Sequence, residues 1–101
     1  MWLFALFDLP VQTKEQRGKA SRFRNSLLRE GFTMMQYSMY AIYCVGEEAA
    51  EARRRTIRSQ IPVEGHVRLL SLTDHQFGKM EVFIGKCSVG PEDAPRQLEF
   101  F

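Results

Sequence analysis

The first hydrophobic run of the chain, Trp2 to Phe7, contains no polar residue. A run that does not alternate suits a strand covered on both faces, so we predict that it lies at the centre of its sheet. Asp8 ends the run, and Pro10, which lacks a backbone N–H, prevents the strand from continuing. The pattern therefore places a carboxylate at the C-terminal end of a central strand.

Two later segments have the pattern of helices. Thr13 to Gln16 has the form of a capping box, and Gly31 is suited to end the helix that follows. Residues 47–60 begin with glutamates and end with arginines, which complements a helix dipole, and Pro62 follows them. The predicted buried face of the first helix comprises Gln16, Ala20, Phe23 and Leu27.

The other apolar segments predict strands. Residues 31–46 are too long for one strand, so we expect two strands that meet near Ser38. His66 to Leu72 and Met80 to Ile84 predict two more, with a turn over residues 73–79 between them. With right-handed crossovers this order gives an α+β, ferredoxin-like βαββαβ antiparallel sheet, with two helices on one face and one strand left over.

We expect the chain to divide just after the leftover strand. We predict a ferredoxin-like domain over residues 1–85 and a tail over residues 86–101 that ends in a short strand, "RQLEFF". An unpaired strand and an apolar terminus favour edge pairing with a second copy or with a different protein.

Composition narrows the class of protein. The chain has 101 residues, 45% of them apolar and 26% charged, which is typical of one soluble globular domain. It has no apolar run long enough for a membrane span and no recognisable leader, so we expect a cytoplasmic location without a targeting segment. Cys44 and Cys87 have neither the spacing of a zinc site nor the number of a disulfide framework, and we expect free thiols.

The net charge of +2 conceals a strongly basic first helix. Lys14, Arg17 and Arg24 share one flank of it, and Arg22 and Arg29 share another. Such flanks either bind the phosphates of a nucleic acid or form a solvated basic face, and the pattern leaves both interpretations open. The second helix carries the arginines Arg53, Arg54, Arg55 and Arg58. Their spacing from the glutamates favours ion pairs within the helix, and we expect Glu51 to pair with Arg55.

Asp8 has two interpretations as well. A carboxylate at a strand end is a frequent functional group in α/β proteins, but it also caps loops and helix starts. One carboxylate is a weak magnesium site, and a homodimer that brings two Asp8 side chains together would strengthen it. His66 and His75 have no partner at ligand spacing, and the chain has no phosphate-binding loop or hydrolase motif.

Three stretches carry a resemblance to a known family: "FALFDLPVQT" from Phe4, "RFRNSLLREGFTMMQYSMY" from Arg22 and "LLSLTDHQFGKMEVFIG" from Leu69. Their order and spacing resemble the second CRISPR-associated protein family, the small partner of the spacer-acquisition integrase. The chain is most similar to members from systems with a single large effector nuclease.

The resemblance implies a ferredoxin-like homodimer whose last strand pairs with the other subunit. It implies that Asp8 is the catalytic and metal-binding residue, with Mg²⁺ or Mn²⁺ held between the two copies of this side chain. Arg17, Arg24 and Ser38 fall on motif positions near that cleft. We therefore expect Lys14, Arg17 and Arg24 to contact nucleic acid and Ser38 to support the site.

The resemblance also leaves two functions open. In one, the homodimer bridges integrase dimers and holds protospacer duplex DNA during spacer acquisition. In the other, it is primarily a metal-dependent endonuclease that cleaves single-stranded RNA or duplex DNA. Independently of the family, a ferredoxin-like RNA-binding or regulatory domain is a third interpretation.

Overall fold

The computed structural model of the protein describes residues 1–85 and 87–89. Six elements occur in the predicted order β-α-β-β-α-β, and three short ones follow. The elements are β1 (Trp2–Asp8), α1 (Lys14–Arg29), β2 (Thr33–Gln36), β3 (Met39–Tyr43), α2 (Glu47–Arg58), β4 (His66–Leu72), α3 (Asp74–Gly78), β5 (Val82–Ile84) and β6 (Cys87–Val89).

The first four strands form one sheet in the order β2-β3-β1-β4, and every neighbouring pair is antiparallel. This is the ferredoxin-like α+β arrangement that the sequence predicts. β1 lies between β3 and β4, so the prediction of a central first strand is confirmed. β4 lies at one edge of this sheet, and its outer side has no partner strand among residues 1–85 and 87–89.

One face of β1 builds the main core. Leu3, Ala5 and Phe7 are buried and belong to the cluster that contains residues of both long helices. Phe23 of α1 and Ile57 of α2 are almost completely buried in it. Successive side chains of a strand point to opposite faces, so these three residues fix the side of the sheet that the helices cover.

The other face of β1 is also covered, which explains why the run does not alternate. Phe4 is buried there with Ala41 of β3 and Phe77 of α3. The ring of Trp2 stacks on the ring of Phe77, with centroids 4.2 Å apart and planes at 11°. The β1 run is therefore apolar because helices cover one face and aromatic side chains cover the other.

The prediction of a turn over residues 73–79 is wrong, because Asp74–Gly78 forms the helix α3. Thr73 begins it with a capping box: its hydroxyl oxygen accepts from the backbone N–H of Gln76, whose side chain accepts from the backbone N–H of Thr73. Burial of Phe77 then holds the helix against the sheet. A helix of five residues is too short to be stable without such packing.

The start of α1 follows the predicted capping box. The Thr13 hydroxyl oxygen accepts from the Gln16 N–H at 3.0 Å, and the Gln16 side chain accepts from the Thr13 N–H at 3.1 Å. Gly31 follows the helix with a φ of 100°, as expected for a left-handed stop. The completely covered residues of the helix are Ala20, Phe23, Ser26 and Leu27, whereas the predicted Gln16 is only half-buried.

The ion pairs of α2 differ from the predicted one. Glu51 pairs with Arg54 at 3.0 Å and with Arg58 at 2.7 Å rather than with Arg55. Arg54 also pairs with Glu47 and donates to the Ser71 hydroxyl oxygen of β4 at 2.6 Å. The arginines of α2 therefore act mainly within the fold, as the sequence favours.

The strand predicted from Met80 to Ile84 is shorter than expected, and it forms a hairpin with a strand that the sequence did not predict. Val82–Ile84 takes the place of the predicted strand from Met80, and it pairs antiparallel with Cys87–Val89. The division into a domain of residues 1–85 and a tail of residues 86–101 stays a prediction. The terminal "RQLEFF" lies outside the described residues.

Candidate functional site

Asp8 is the last residue of β1, and its side chain is exposed. Its carboxylate has no hydrogen bond or ion pair with any residue in the described part of the chain. Asp8 therefore does not cap the loop or the start of the helix. Thr13 caps α1 instead. An exposed carboxylate without a partner is available to an external cation.

A cavity of about 330 Å³ opens beside this carboxylate. It is open to solvent, and it is bordered by the ends of β1 and β2, by the turn between β2 and β3, and by β4. Its polar lining includes Asp8, Ser38, Gln36 and Arg68, and Tyr37 and Met39 supply further surface. We call this the Asp8 cavity.

Ser38 reaches the Asp8 cavity through the turn between β2 and β3. Its backbone has a φ of 60°, which places a serine in the left-handed region that few non-glycine residues occupy. Its carbonyl oxygen accepts a hydrogen bond from the Phe7 N–H at 3.0 Å. This bond fixes the turn to the residue that precedes Asp8, so the structure brings the predicted supporting residue and the predicted metal ligand together.

Arg68 is a lining residue that the sequence interpretation did not identify. In the register of β1 and β4 it lies opposite Leu6, on the face of the sheet that also carries Asp8. Its guanidinium is exposed and has no acidic partner among the described residues. A signal was available, since His66 and Arg68 alternate with apolar residues in the predicted fourth strand, as polar positions of a half-exposed strand do.

The same register places His66 directly opposite Asp8. Residues that face each other across antiparallel strands have Cβ atoms about 4.5–5.5 Å apart. The spacing of His66 along the chain gave no sign of this, because the pairing is made between strands. The imidazole is exposed.

Lys14, Arg17 and Arg24 are not among the residues that line the Asp8 cavity. Lys14 is exposed in the first turn of α1. Arg17 donates to the carbonyl oxygens of Val11 and Gln12 at 3.1 and 3.2 Å, so it holds the loop that follows β1. Their assignment as nucleic-acid contacts stays a prediction.

Arg24 faces the fold more than the solvent. It donates to the Ser21 hydroxyl oxygen at 3.1 Å and is half-buried. Burial raises the pKa of the nearby Tyr40 phenol, and the positive charge of Arg24 offsets part of that rise. A phosphate at Arg24 would have to approach beside this largely covered side chain.

A magnesium or manganese ion would find few ligands in one copy of the chain. Among residues 1–85, no group of three or more His, Cys, Asp or Glu side chains is arranged to hold a metal. Among the described residues that line the Asp8 cavity, Asp8 is the one that carries a carboxylate. Mg²⁺ is commonly bound through one or two carboxylates together with water and substrate phosphates, so Asp8 fits such an ion only as a shared ligand.

Within the part of the chain that the structure describes, none of the helices has the length and apolar character needed to cross a membrane.

Comparison with known proteins places the chain in a family. Residues 1–80 match the family model described as CRISPR associated protein Cas2. A protein of Parvibaculum lavamentivorans named CRISPR-associated endoribonuclease Cas2 is 44% identical over 101 residues, and the match covers all of both chains. A protein of Flavobacterium psychrophilum with the same name is 42% identical, over all of this chain and 88% of the relative.

A third relative of that name, from Ligilactobacillus salivarius, is 43% identical over 85% of each chain. The similarity covers the ferredoxin-like sheet and Asp8, and in the first two relatives it extends to the end of the chain. The chain therefore belongs to the CRISPR-associated Cas2 protein family.

Proposed function

We propose that this protein acts in CRISPR adaptation, in the cytoplasm, as a homodimer that bridges two dimers of the CRISPR integrase. In this role the dimer holds the protospacer duplex while the integrase transfers the strands. Membership of the Cas2 family supports the adaptation role. The basic helix α1 supports a role in holding DNA, because positive charge on one helix is the electrostatic feature that phosphate binding requires.

The proposed homodimer would use surface that one chain leaves uncovered. The outer edge of β4 has no strand beside it in the described sheet. Tyr43 and Leu70 are about half exposed, at 49% and 50%, on the face of the sheet away from α1 and α2. A second copy would cover these side chains and supply a strand to the free edge.

We propose as a second activity that the dimer cleaves phosphodiester bonds with Mg²⁺ or Mn²⁺. The relatives described above are named endoribonucleases. The observation that carries this activity is the exposed carboxylate of Asp8, which has no partner in the described chain and opens onto a cavity. When bound, the metal would activate water and neutralise phosphate charge.

The other residues of the Asp8 cavity have distinct roles in this proposal. Asp8 would hold the ion together with the same residue of the second copy. Ser38 would keep the turn in place through its backbone bond to Phe7. The exposed guanidinium of Arg68 is placed to bind a phosphate oxygen of the substrate.

The test is Asp8→Asn, which keeps the size of the side chain and removes its charge. The variant should lose metal-dependent cleavage of single-stranded RNA and of duplex DNA, while its dimer and its binding to the integrase are retained. Spacer acquisition, measured separately, should persist. Cleavage at the wild-type rate would refute the assigned metal site, and loss of acquisition with an intact integrase complex would refute the bridging role as the sole function.

A further inference from the structure

A second cavity lies on the helix side of the molecule. It has a volume of about 430 Å³ and lies between α1 and residues 60–63, which connect α2 to β4. We call it the helix groove. It shares no lining residue with the Asp8 cavity, and it lies on the side of the sheet that α1 and α2 cover.

One wall of the helix groove is cationic. Lys19, Arg22 and Arg29 of α1 line it, and no carboxylate does so among the described residues. At a rise of 1.5 Å per residue these three positions extend over about 15 Å of the helix axis. The row is therefore long enough to contact more than one charge of an extended anion.

Two of these cations are unpaired within the described chain. Arg22 and Arg29 are exposed and have no ion pair or hydrogen bond with the described residues, whereas Lys19 pairs with the exposed Glu15 at 3.3 Å. The arginines of α2 differ, since Arg53 pairs with Glu30 and Arg54 with Glu51. These arginines of α2 are neutralised by ion pairs within the fold, whereas Arg22 and Arg29 of the helix groove are not.

The opposite wall is mostly apolar, and the exposed side chain of Gln60 is its polar member. Ile61, Pro62 and Val63 supply its apolar surface, and Val63 is 89% exposed while Ile61 is 39% exposed. Pro62 restricts the backbone of this short connection, so the two aliphatic side chains are presented on a stiff segment. The helix groove thus separates charge on one side from apolar surface on the other.

We infer that the helix groove binds a single nucleic-acid strand, with phosphates on Lys19, Arg22 and Arg29 and with bases or sugars against Ile61 and Val63. A single strand has charge along one edge and apolar rings along the other, which matches the two walls. A duplex keeps its bases stacked inside and would leave the apolar wall without a partner. This inference rests on the proposed function in nucleic-acid handling and adds a site that is separate from Asp8.

The test measures binding of short fluorescent single strands of RNA and DNA, and of a blunt duplex, to the full-length dimer. In Arg22→Gln/Arg29→Gln the affinity for single strands should fall about tenfold, and the salt slope should fall by about 1.4 because two phosphate contacts are lost. Val63→Asn should weaken single-strand binding and leave duplex binding unchanged. Arg55→Gln is the charge control, because Arg55 is exposed on α2 and does not line the helix groove.

The outcomes separate this inference from the proposed function. Unchanged single-strand affinity and salt slope in the double variant, with wild-type binding intact, would refute the helix groove and leave the proposed function standing. An equal loss for duplex would refute the single-strand assignment. Loss of integrase binding with unchanged nucleic-acid binding would refute it in favour of a protein surface. A wild-type dimer that binds no nucleic acid at low salt would refute the proposed function itself.

Discussion

A Cβ atom placed on Gly65 would lie 2.6 Å from the backbone carbonyl oxygen of Asp8, closer than such atoms approach in proteins. Gly65 also has a φ of 94°, in the left-handed region that side chains disfavour. The absence of a side chain at Gly65 therefore allows the segment before β4 to pack against the end of β1. This packing fixes the backbone that presents the candidate metal ligand.

Gly65→Ala should destabilise the protein and displace Asp8. An alanine in this left-handed backbone conformation costs about 1–2 kcal/mol of stability. The close contact of its Cβ atom with the Asp8 carbonyl oxygen adds to this cost. Urea denaturation measures the free energy of unfolding, and the amide chemical shifts of Asp8 and Leu9 report the displacement. Cleavage activity should fall with the displacement.

Gly46→Ala is the matched control. Gly46 has a φ of 87°, but an added Cβ there has no atom of the described residues within 4 Å. The Gly46→Ala variant should lose stability through backbone strain, without any change in the amide chemical shifts of Asp8. Equal chemical-shift changes at Asp8 in the two variants would contradict the assigned role of Gly65.

Much of the fold could be predicted because its signals are local. The capping box at Thr13 fixes the start of α1, and Val67, Leu69 and the apolar finish of the segment His66–Leu72 give the bounds of β4. The helix α3 was missed although Thr73 and Gln76 repeat the same capping pattern. Five residues are too few for helical periodicity, and the stacking of Phe77 on Trp2 that stabilises α3 is a long-range contact.

The candidate site divides in the same way. Asp8 could be predicted, because the end of an apolar run is visible in the sequence. His66 and Arg68 are recognisable in the sequence as polar positions of a half-exposed strand, but their place beside Asp8 is not, because it depends on the pairing of β1 with β4. A shift of one residue in that pairing would turn both to the other face. The helix groove also depends on tertiary packing, since it joins one flank of α1 to a distant connection.

Gly18→Ala should stabilise the protein. Gly18 lies inside α1, and an added Cβ would have ordinary contact, 3.5 Å, with the end of the Arg22 side chain. Glycine within a helix costs about 0.5–1 kcal/mol relative to alanine, so the free energy of unfolding should rise by that amount. Chemical denaturation measures the change. A lower stability would show that this contact costs more than the helical preference of alanine gains.

Glu51→Gln should change how stability depends on pH. Hydrogen bonds from Arg54 and then Arg58 hold the pKa of the Glu51 carboxyl below its ordinary value. A lower pKa in the folded state means that the pairing stabilises the fold above the unfolded carboxyl pKa of about 4.3 and is lost as the pH falls through the folded value. The variant should be less stable than wild type at neutral pH, and the difference should shrink in acid.

Urea midpoints of both proteins across this pH range measure the effect of Glu51. Glu81→Gln is the control, since Glu81 is exposed and makes no ion pair with the described residues. Its difference from wild type should stay near zero throughout. A Glu51→Gln difference that is independent of pH would show that the ion pairs do not contribute to the pH dependence.

Leu70→Glu should convert the proposed dimer into monomers. Leu70 lies in β4, on the face that α1 and α2 leave open, and it is 50% exposed in one chain. Covering an apolar side chain favours association by about 25 cal/mol per Å² of buried apolar surface, whereas burying an unpaired glutamate opposes it strongly. Light scattering on the eluting protein measures the mass.

Leu28→Glu is the control for this prediction. Leu28 is 51% exposed on α1 and lies outside the proposed interface, so the Leu28→Glu variant should remain dimeric. A dimeric Leu70→Glu variant would place the interface elsewhere, and two monomeric variants would indicate a general loss of folding, which circular dichroism would detect.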